Sequence, residues 1–323
     1  MKAIVLISGG LDSALAVKIL QAQGIEVIGF NLSTPFNKPI SKTLEGSLGI
    51  RIVVEHSGSE YLTLIRNPVH GFGRNVNPCI DCHIYMLKKA KHSMKKLKAD
   101  FIATGEVLGQ RPMSQNRPML DLIETKSGLK GLLLRPLSAK LLAETEIEKK
   151  LLVDRNRFFD ISGRARNIQF ELAKAFNLGG FSQPAGGCLL TDPSYADRVK
   201  DLLAHKELTL DNVDLLGIGR HFRISKKVKF VVGRSERENE LLLNKAKFND
   251  YIFQTISIPG PVALGRGFFD KELVLFCCRA VSCFSDNFGK KVEVEYFQNR
   301  FLKRKKIFSA SPIEKSAIDK FRL

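Results

Sequence analysis

The stretch IVLISGGLDS, residues 4–13, determines the fold of the first part of this chain. An apolar run typical of a buried strand leads directly into Ser-Gly-Gly, and a helical pattern of apolar residues follows over residues 11–23. Glycines between a strand and a helix let backbone N–H groups approach an anion closely, and the helix dipole adds about half a positive charge at that point. This stretch is therefore predicted to bind phosphate.

The side chains of the same stretch refine that prediction. The hydroxyls of Ser8 and Ser13 can donate hydrogen bonds to phosphate oxygens. The carboxylate of Asp12 repels phosphate unless a metal ion bridges the two groups, which predicts Mg²⁺ on a polyphosphate. The stretch lacks the Gly-Lys-Ser/Thr ending of the Walker loop. An ordinary strand-to-helix turn capped by Ser or Asp is the alternative interpretation.

Two segments carry a resemblance to known enzymes. SGGLDS, residues 8–13, resembles the motif of the PP-loop ATP pyrophosphatases, which cleave ATP to AMP and pyrophosphate while they adenylate a substrate. TGE-xx-GQ-xxx-SQ, residues 104–115, is similar to the corresponding segment of the tRNA 4-thiouridine synthetase family, and LRPL at 134–137 also fits that family. The resemblance covers roughly residues 1–200 and implies a Rossmann-like fold that binds ATP.

The motif, this resemblance and the position of Phe30 and Leu32 at the second strand together predict which residues bind ATP. They are Ser8, Gly9, Gly10, Asp12, Ser13, Phe30, Leu32, Thr104, Gly105, Gln110, Ser114 and Gln115. The adenine is expected near Phe30, Leu32 and the turn at 104–105, although the first two have an alternative interpretation as core residues. Residues 109–115 are expected to border ATP or the entering base. Two arginines, Arg164 and Arg166, are candidates to neutralise phosphates of ATP or RNA, or are surface side chains.

Strands and helices alternate in the first part of the chain. Strands are predicted at 3–7, 26–32, 51–55, 101–104 and 132–137, and helices at 11–23, 39–48, 60–66, 80–98, 143–153 and between 162 and 176. This order predicts an α/β fold with a doubly wound parallel sheet that is covered on both faces. Ligands of such sheets bind beyond the carboxyl ends of the strands. We expect residues 1–205 to form a PP-loop ATP-binding catalytic domain.

A second, smaller α/β domain is expected over residues 206–323. Strands are predicted at 227–232, 251–255 and 273–276, with a helix that ends near 246. The segments HFR at 221–223 and VVGRSERENELLL at 231–243 look like the NFACT-R domain, which implies RNA binding. The basic run RFLKRKK at 300–306 either binds RNA phosphates or is solvated surface.

Three cysteines are candidates for chemistry. Cys79 and Cys82 form a C-x-x-C pair where a loop meets a helix, and Cys188 follows the glycine-rich segment 179–187. Thiols at a helix N-terminus ionise more easily. Three sulfurs are one short of a closed tetrahedral zinc site, and a four-iron cluster held by three cysteines keeps one iron open. An open iron can hold hydrosulfide as the sulfur to be transferred.

This pattern matches a subset of PP-loop tRNA thiolation enzymes that bind a [4Fe-4S] cluster, which implies that Cys79, Cys82 and Cys188 are cluster ligands. The rival hypothesis needs no cluster: Cys188 carries a persulfide, and one of the other two thiols resolves it as a disulfide. Structural zinc or inert thiols are further alternatives, and His83 is a weak candidate for a fourth ligand. The remaining cysteines, Cys277, Cys278 and Cys283, are expected to be core residues in an apolar strand.

Composition limits the class of protein. The chain has 323 residues and a formal net charge of +18, which favours a polyanionic partner over simple solubility. It contains no run of 18 apolar residues, and its N-terminus reads as a core strand rather than a cleavable signal, so we expect no membrane span and a cytoplasmic location. Six cysteines in such a chain indicate metal or catalytic use rather than a disulfide scaffold.

The function predicted from these features and resemblances is an ATP-dependent tRNA sulfurtransferase. It adenylates a uridine carbonyl oxygen of tRNA, releases pyrophosphate and inserts sulfur supplied as sulfide or as a persulfide derived from a cysteine desulfurase. Asp12, Cys79, Cys82 and Cys188 are the predicted catalytic residues. The alternatives are an RNA- or ribosome-binding protein whose PP-loop senses nucleotide, and another PP-loop adenylating ligase.

Overall fold

The structure is a computed structural model that describes residues 1–182, 188–286, 289–301 and 304–323. The chain divides into two compact units, Met1–Asp192 and Pro193–Leu323. The last five residues of the predicted irregular segment 179–187 lie outside the described residues. In the described part of the chain, no helix is both long and apolar enough to cross a membrane.

Five parallel strands form the sheet of the first unit, in the order β3-β2-β1-β4-β5. They are β1 Lys2–Leu6, β2 Glu26–Ser33, β3 Ile52–His56, β4 Phe101–Ala103 and β5 Leu133–Leu134. The order places β1 in the centre, so its carboxyl end faces the switch between β2 and β4 where ligands of such sheets bind. The predicted α/β class with a parallel sheet is confirmed.

Helices cover both faces of this sheet. They are α1 Leu11–Gln21, α2 Lys42–Leu48, α3 Tyr61–Arg66, α4 Cys79–Lys96, α5 Arg117–Ser127, α6 Glu146–Lys149 and α7 Asn167–Ala175. One core cluster joins the sheet to α1, α2 and α7, and a second joins the opposite face to α4 and α5. The sheet is therefore doubly wound, as predicted.

Three predicted helices are shorter than their apolar patterns suggested. Helix α2 begins only at Lys42 because Ser41 caps it, accepting a hydrogen bond from the Leu44 N–H at 3.2 Å. The predicted helix 143–153 is reduced to the single turn of α6. Helix α7 begins after Arg166 rather than at Ser162, which instead forms a β-bridge with Leu108.

The second unit is built on six antiparallel strands in the order β11-β10-β8-β9-β7-β6. The strands are β6 Arg220–Ser225, β7 Val228–Val232, β8 Tyr251–Thr255, β9 Val262–Gly267, β10 Val292–Gln298 and β11 Lys306–Ala310. Its helices are α8 Pro193–Ala204, α9 Leu210–Val213, α10 Glu236–Asn244, α11 Lys271–Cys283 and α12 Lys315–Asp319.

The predicted strand at 273–276 is wrong, because this segment belongs to α11. Asp270 caps that helix by accepting a hydrogen bond from the Leu273 N–H at 2.8 Å. The short apolar run is one turn of a helix that is buried against the sheet. Cys277 and Cys278 are fully buried in this core, as expected, but they lie on a helix, and Cys283 packs only partly buried against it.

The first unit ends at Asp192, which lies 13 residues before the predicted domain boundary near residue 205. Helix α8 belongs to the second unit because its polar side chains pair with that unit. Arg223 Nη2 on β6 donates to Asp201 Oδ2 at 2.6 Å, and Arg198 Nη1 donates to the carbonyl of Leu216 at 2.7 Å.

One close approach in the first unit requires glycine. A Cβ atom on Gly105, just after β4, would lie 2.3 Å from the carbonyl carbon of Asp12 and 2.4 Å from the nitrogen of Ser13. The first turn of α1 therefore rests directly on the backbone that follows β4. Because both neighbours are backbone, neither can move aside cheaply.

We predict that Gly105→Ala lowers the free energy of unfolding by about 1–3 kcal/mol, the range for overpacking a filled site. Gly46→Ala is the matched control, since Gly46 lies in α2 with no atom within 4 Å of an added Cβ. Alanine there should raise stability by about 0.5–1 kcal/mol. Urea unfolding measures the stability of both variants. A Gly105→Ala variant as stable as the parent would contradict the close packing of Gly105 against Asp12 and Ser13.

Candidate nucleotide and thiol site

The loop between β1 and α1 is held by its own hydroxyl groups. Ser13 Oγ donates to the carbonyl of Gly10 at 2.8 Å, and it accepts from the Ser8 N–H at 3.3 Å. The Gly10 N–H in turn donates to Ser8 Oγ at 3.3 Å, and Gly9 has a positive φ of 81°. The loop is thus ordered around the N-terminus of α1, where an anion is favoured.

The carboxylate of Asp12 is held from one side only. Its Oδ2 accepts a hydrogen bond from Gln110 Nε2 at 3.1 Å and pairs with the guanidinium of Arg166. Its Oδ1 is buried and has no hydrogen-bond partner among the described residues. An unpartnered carboxylate oxygen in the cavity that Ser8 and Ser13 also line is the kind of hard oxygen donor that Mg²⁺ prefers, so this end of the site fits the ion.

A single cavity of about 230 Å³ lies beyond the carboxyl ends of β1, β2 and β4. Its lining includes all three candidate cysteines together with most of the residues expected at the ATP site. The predicted residues that line this cavity are Ser8, Gly10, Asp12, Ser13, Phe30, Leu32, Thr104, Gly105, Gln115, Arg166, Cys79, Cys82 and Cys188. The structure therefore brings the phosphate loop and the thiols to one cavity.

The other predicted residues lie outside this lining. Gln110 is hydrogen-bonded to Asp12, which lines the cavity. Ser114 is hydrogen-bonded to Cys79, whose thiol donates to the Ser114 hydroxyl at 3.3 Å. The backbone N–H of Gly109 donates to the carbonyl of Gln115 at 2.7 Å and so closes the segment. Phe30 and Leu32 are at most 3% exposed and belong to a core cluster, which confirms that they are core residues. Both also line the cavity, and their contact with adenine stays a prediction.

The three cysteines reach the cavity from two parts of the chain. Cys79 and Cys82 occupy the first turn of α4. Cys188 forms a β-bridge with Asn37, so the segment after the glycine-rich stretch is fixed beside the end of β2. All three thiols are free. The three cysteines thus line one cavity, and their role as a joint site stays a prediction.

A buried chain of polar groups distinguishes Cys79. His83 lies one helical turn after Cys79 and pairs through Nδ1 with Glu106 Oε1 at 2.8 Å. Glu106 also accepts from Arg135 Nε at 3.0 Å and from the hydroxyl of Thr104 at 3.0 Å. Burial alone would raise the pKa of Cys79, but His83 and Ser114 lower it to about 7. Cys79 is therefore substantially ionised near neutral pH.

The other two thiols are protonated at neutral pH. Burial raises the pKa of Cys82 to about 12, although the hydroxyl of Tyr61 lies 3.0 Å from its sulfur. Burial also raises the pKa of Cys188. Cys79 is thus the most readily ionised of the three thiols, and the thiolate is the form that attacks a disulfide or persulfide sulfur in thiol exchange.

The donor set bears on which metal group the thiols can hold. No group of three or more His, Cys, Asp or Glu side chains in the described ranges is arranged around one metal ion. An iron–sulfur cluster places each cysteine on a separate iron and so needs wider spacing than a single ion does. Cys79, Cys82 and Cys188 are free and line one cavity, so they are the residues available to hold such a group.

Sequence reasoning missed the polar chain behind Cys79. His83 was weighed only as a fourth ligand, whereas its ring is paired with Glu106. The available signals were the four-residue spacing from Cys79 to His83 on a helix and two charged residues, Glu106 and Arg135, in otherwise apolar surroundings directly after strands. Tyr61 gave no comparable signal, because its contact with Cys82 depends on tertiary packing.

Comparisons with known proteins agree with the resemblances noted in the sequence. Residues 1–149 match the family model described as Thiamine biosynthesis protein (ThiI), and residues 219–322 match that of the NFACT protein RNA binding domain. The chain is similar to the tRNA-specific 2-thiouridylase MnmA 3 of Bacteroides fragilis, with 29% identity over 32% of this chain and 30% of the relative. The corresponding enzyme MnmA of Symbiobacterium thermophilum is 30% identical over 34% of each chain.

These similarities confirm the suspected resemblance, and the matched stretch spans about a third of the length of these curated relatives. Among solved structures, the chain is similar to a 4-thiouridine synthetase–RNA complex with bound ATP. That likeness has 18% identity, covers 66% of this chain and 53% of the other, and has a TM-score of 0.39, too low for a comparison of folds.

We predict that Arg135→Met lowers the free energy of unfolding by about 3–5 kcal/mol, because it leaves the buried charge of Glu106 without its main partner. Lys2→Met is the matched control, since Lys2 pairs with Glu26 at 3.1 Å on the surface, and its removal should cost at most about 0.5 kcal/mol. Urea unfolding at pH 7 measures both variants. Equal stability of the two would contradict the role given to the buried pair.

The same pair predicts a pH dependence. Burial would raise the pKa of Glu106, but Arg135 and His83 lower it to about 2, below the ordinary value of 4.5. A carboxyl group with a lowered pKa stabilises the fold fully above pH 4.5, and this stabilisation is lost as the pH falls toward 2. The stability difference between the parent and Arg135→Met should therefore be largest above pH 5 and shrink below pH 4.5. A constant difference would contradict it.

Proposed function

We propose that this chain is an ATP-dependent tRNA sulfurtransferase that adenylates a uridine carbonyl oxygen and replaces it with sulfur. One observation carries the proposal: the phosphate-binding loop and three free cysteines line the same cavity. A site that only sensed or hydrolysed ATP would have no use for thiols at that position. The named relatives are tRNA thiouridylases, and the N-terminal match lies over the phosphate loop, which supports the same reaction class.

ATP binding is assigned to the end of β1 and its neighbours. The loop 8–13 binds the phosphates through backbone N–H groups, and Asp12 holds Mg²⁺ through its unpartnered oxygen. Phe30 and Leu32 form the apolar wall against the adenine. Gln110 and Arg166 hold Asp12 in position, and Arg166 adds a positive charge at the same end of the cavity.

In the first step, the uridine carbonyl oxygen attacks the α-phosphorus of ATP. A bond forms between that oxygen and phosphorus, and the bond to pyrophosphate breaks. Backbone donors of the loop and the guanidinium of Arg166 stabilise the charge that develops on the phosphates. The adenylated oxygen is now part of a good leaving group, which an unmodified carbonyl oxygen is not.

In the second step, sulfur attacks the activated carbon and AMP leaves with the former carbonyl oxygen. In the cluster-free route, the terminal sulfur of a persulfide on Cys188 makes this attack. The thiolate of Cys79 then attacks the sulfur of Cys188, the sulfur–sulfur bond breaks toward the new thiouridine, and a Cys79–Cys188 disulfide remains. An external reductant such as a dithiol restores the two thiols. The lowered pKa of Cys79 suits it to this role.

A cluster is the other source of sulfur, and the three thiols would hold it. When bound, a [4Fe-4S] cluster with one open iron supplies a position for hydrosulfide. Cys79, Cys82 and Cys188 are the residues for this, with Tyr61 and Ser114 as hydrogen-bonding neighbours of the sulfurs. Sulfide feeds the cluster route. A desulfurase-derived persulfide feeds the cluster-free route, because its outer sulfur passes to the Cys188 sulfur and the donor cysteine leaves as a thiol.

RNA binding is assigned to both units. Residues 1–192 carry 26 − 17 = +9 charges, and residues 193–323 carry 25 − 16 = +9. The second unit matches an RNA-binding domain family over most of its length. Part of its basic run at 300–306 is already paired, since Lys305 binds Glu295 at 2.9 Å. With tRNA as the proposed substrate, we expect a cytoplasmic location.

Asp12→Asn should reduce tRNA-dependent pyrophosphate release by about 100-fold or more, because the carboxylate that holds Mg²⁺ becomes a neutral amide. Asparagine keeps an acceptor for Gln110 and Arg166, so the fold should persist. Asp121→Asn, on the exposed face of α5, is the matched control and should leave the rate unchanged. Ordinary pyrophosphate release by Asp12→Asn would refute the assignment. Release without tRNA would favour a different adenylating ligase.

Iron content separates the two sulfur routes. Protein purified without oxygen should carry iron and a broad brown absorbance that Cys82→Ser removes, while Cys283→Ser, a partly buried cysteine of the second unit, leaves both unchanged. Active protein without iron, bearing a persulfide on Cys188 by mass analysis, would eliminate the cluster and establish the other route. An RNA-binding protein that only senses nucleotide would show neither.

A further inference from the structure

The loop between α3 and α4, residues 67–78, is fixed against the first turn of α4. We call it the rim loop. The backbone N–H of His70 donates to Asp81 Oδ2 at 3.0 Å, and its ring nitrogen Nδ1 lies 2.7 Å from Asp81 Oδ1. Asp81 stands between the two cysteines of the C-x-x-C pair. The rim loop is therefore tied to the turn that presents those thiols.

Two further bonds close the rim loop upon itself and upon the segment after Cys188. The Gly73 N–H donates to the carbonyl of Asn77 at 2.7 Å. Asn75, with a positive φ of 58°, donates from Nδ2 to the carbonyl of Thr191 at 2.8 Å. A Cβ on Gly73 would lie 2.9 Å from the sulfur of Met113, so the loop also packs on the segment 109–115.

This fixed loop nevertheless exposes apolar and charged side chains. Val69 is 82% exposed and Phe72 is 38% exposed. Arg74 is exposed, and its guanidinium has no hydrogen bond or ion pair with any residue that the structure describes. An exposed aromatic ring and an unpaired cation on a fixed surface loop do not stabilise the hydrophobic core. An external partner accounts for it.

The position of the loop indicates what that partner is. Asn77 at its base lines the cavity, and so does Arg111, which is exposed at the neighbouring segment 109–115. Arg111 lines the same cavity as Cys79 and Cys188. Phe72 and Arg74 are thus exposed on the loop whose base lines the cavity, and Arg111 lines the cavity itself. A polyanion with flat bases complements an exposed aromatic ring and exposed arginines.

We propose that Phe72 stacks on an unpaired base next to the target uridine, while Arg74 and Arg111 bind the flanking phosphates. This inference rests on the proposed function and identifies where the RNA enters the site. A uridine can reach the cavity only if it leaves its stack, and its neighbour then exposes a face that the ring can cover. Because the rim loop is already fixed by its hydrogen bonds, it does not have to lose conformational entropy when Phe72 contacts the base.

Binding of an unmodified tRNA transcript by Phe72 variants tests the proposal. Phe72→Ala should weaken binding roughly 5- to 150-fold, the range for losing one base–aromatic stack. Phe72→Tyr should bind like the parent, and Phe72→Leu should be as weak as Phe72→Ala. Phe170→Ala is the matched control, since Phe170 on α7 is 40% exposed, and it should bind normally. Titration with ATP and Mg²⁺ should be the same for every variant.

Salt and duplex RNA complete the test. Arg74→Ala should lower the slope of log affinity against log salt by about 1, as expected for one lost phosphate contact. A fully paired RNA of equal length should bind the parent and Phe72→Ala equally, because it offers no exposed base. If the parent binds tRNA and Phe72→Ala binds equally well, the rim loop is not the contact. If the parent binds no tRNA, the proposed function itself fails.

Discussion

The close approach of Gly105 to the backbone of Asp12 and Ser13 is the constraint on which the site depends. It places the end of β4 directly against the phosphate-binding turn after β1. Glu106 follows at once, and its buried bonds to Arg135 and His83 extend from that contact to Cys79. One glycine therefore connects the nucleotide end of the cavity to the thiol end, and any side chain there separates them.

The part of the site nearest the sequence motif was predictable because it depends on local rules. A strand, two glycines and a helix define the phosphate loop, and parallel topology brings the ends of β1, β2 and β4 together. The buried ion pairs were not predictable, because the partner of Glu106 lies 29 residues away in sequence. The strand expected at 273–276 failed for a related reason: a short apolar run has no period that separates a strand from a helix.

The three thiols share a cavity but not a protonation state. Cys79 gains a charged hydrogen-bonding neighbour in His83, whereas burial dominates at Cys82 and Cys188. The difference comes from helix geometry, since four residues separate Cys79 from His83 and place both on one face of α4. Both sulfur routes use this arrangement. The rim loop, which is hydrogen-bonded to Asp81 within the same turn, is the proposed RNA contact beside these thiols.

The fate of the uridine oxygen tests the central claim most directly. An RNA substrate whose uridines carry ¹⁸O at both carbonyl positions is incubated with ATP, Mg²⁺ and a sulfur donor in ordinary water, and the AMP is analysed by mass spectrometry. If a carbonyl oxygen is adenylated and then displaced by sulfur, each AMP formed with a thiouridine carries one ¹⁸O atom. AMP that carries no ¹⁸O, with the RNA still fully labelled, would contradict this account.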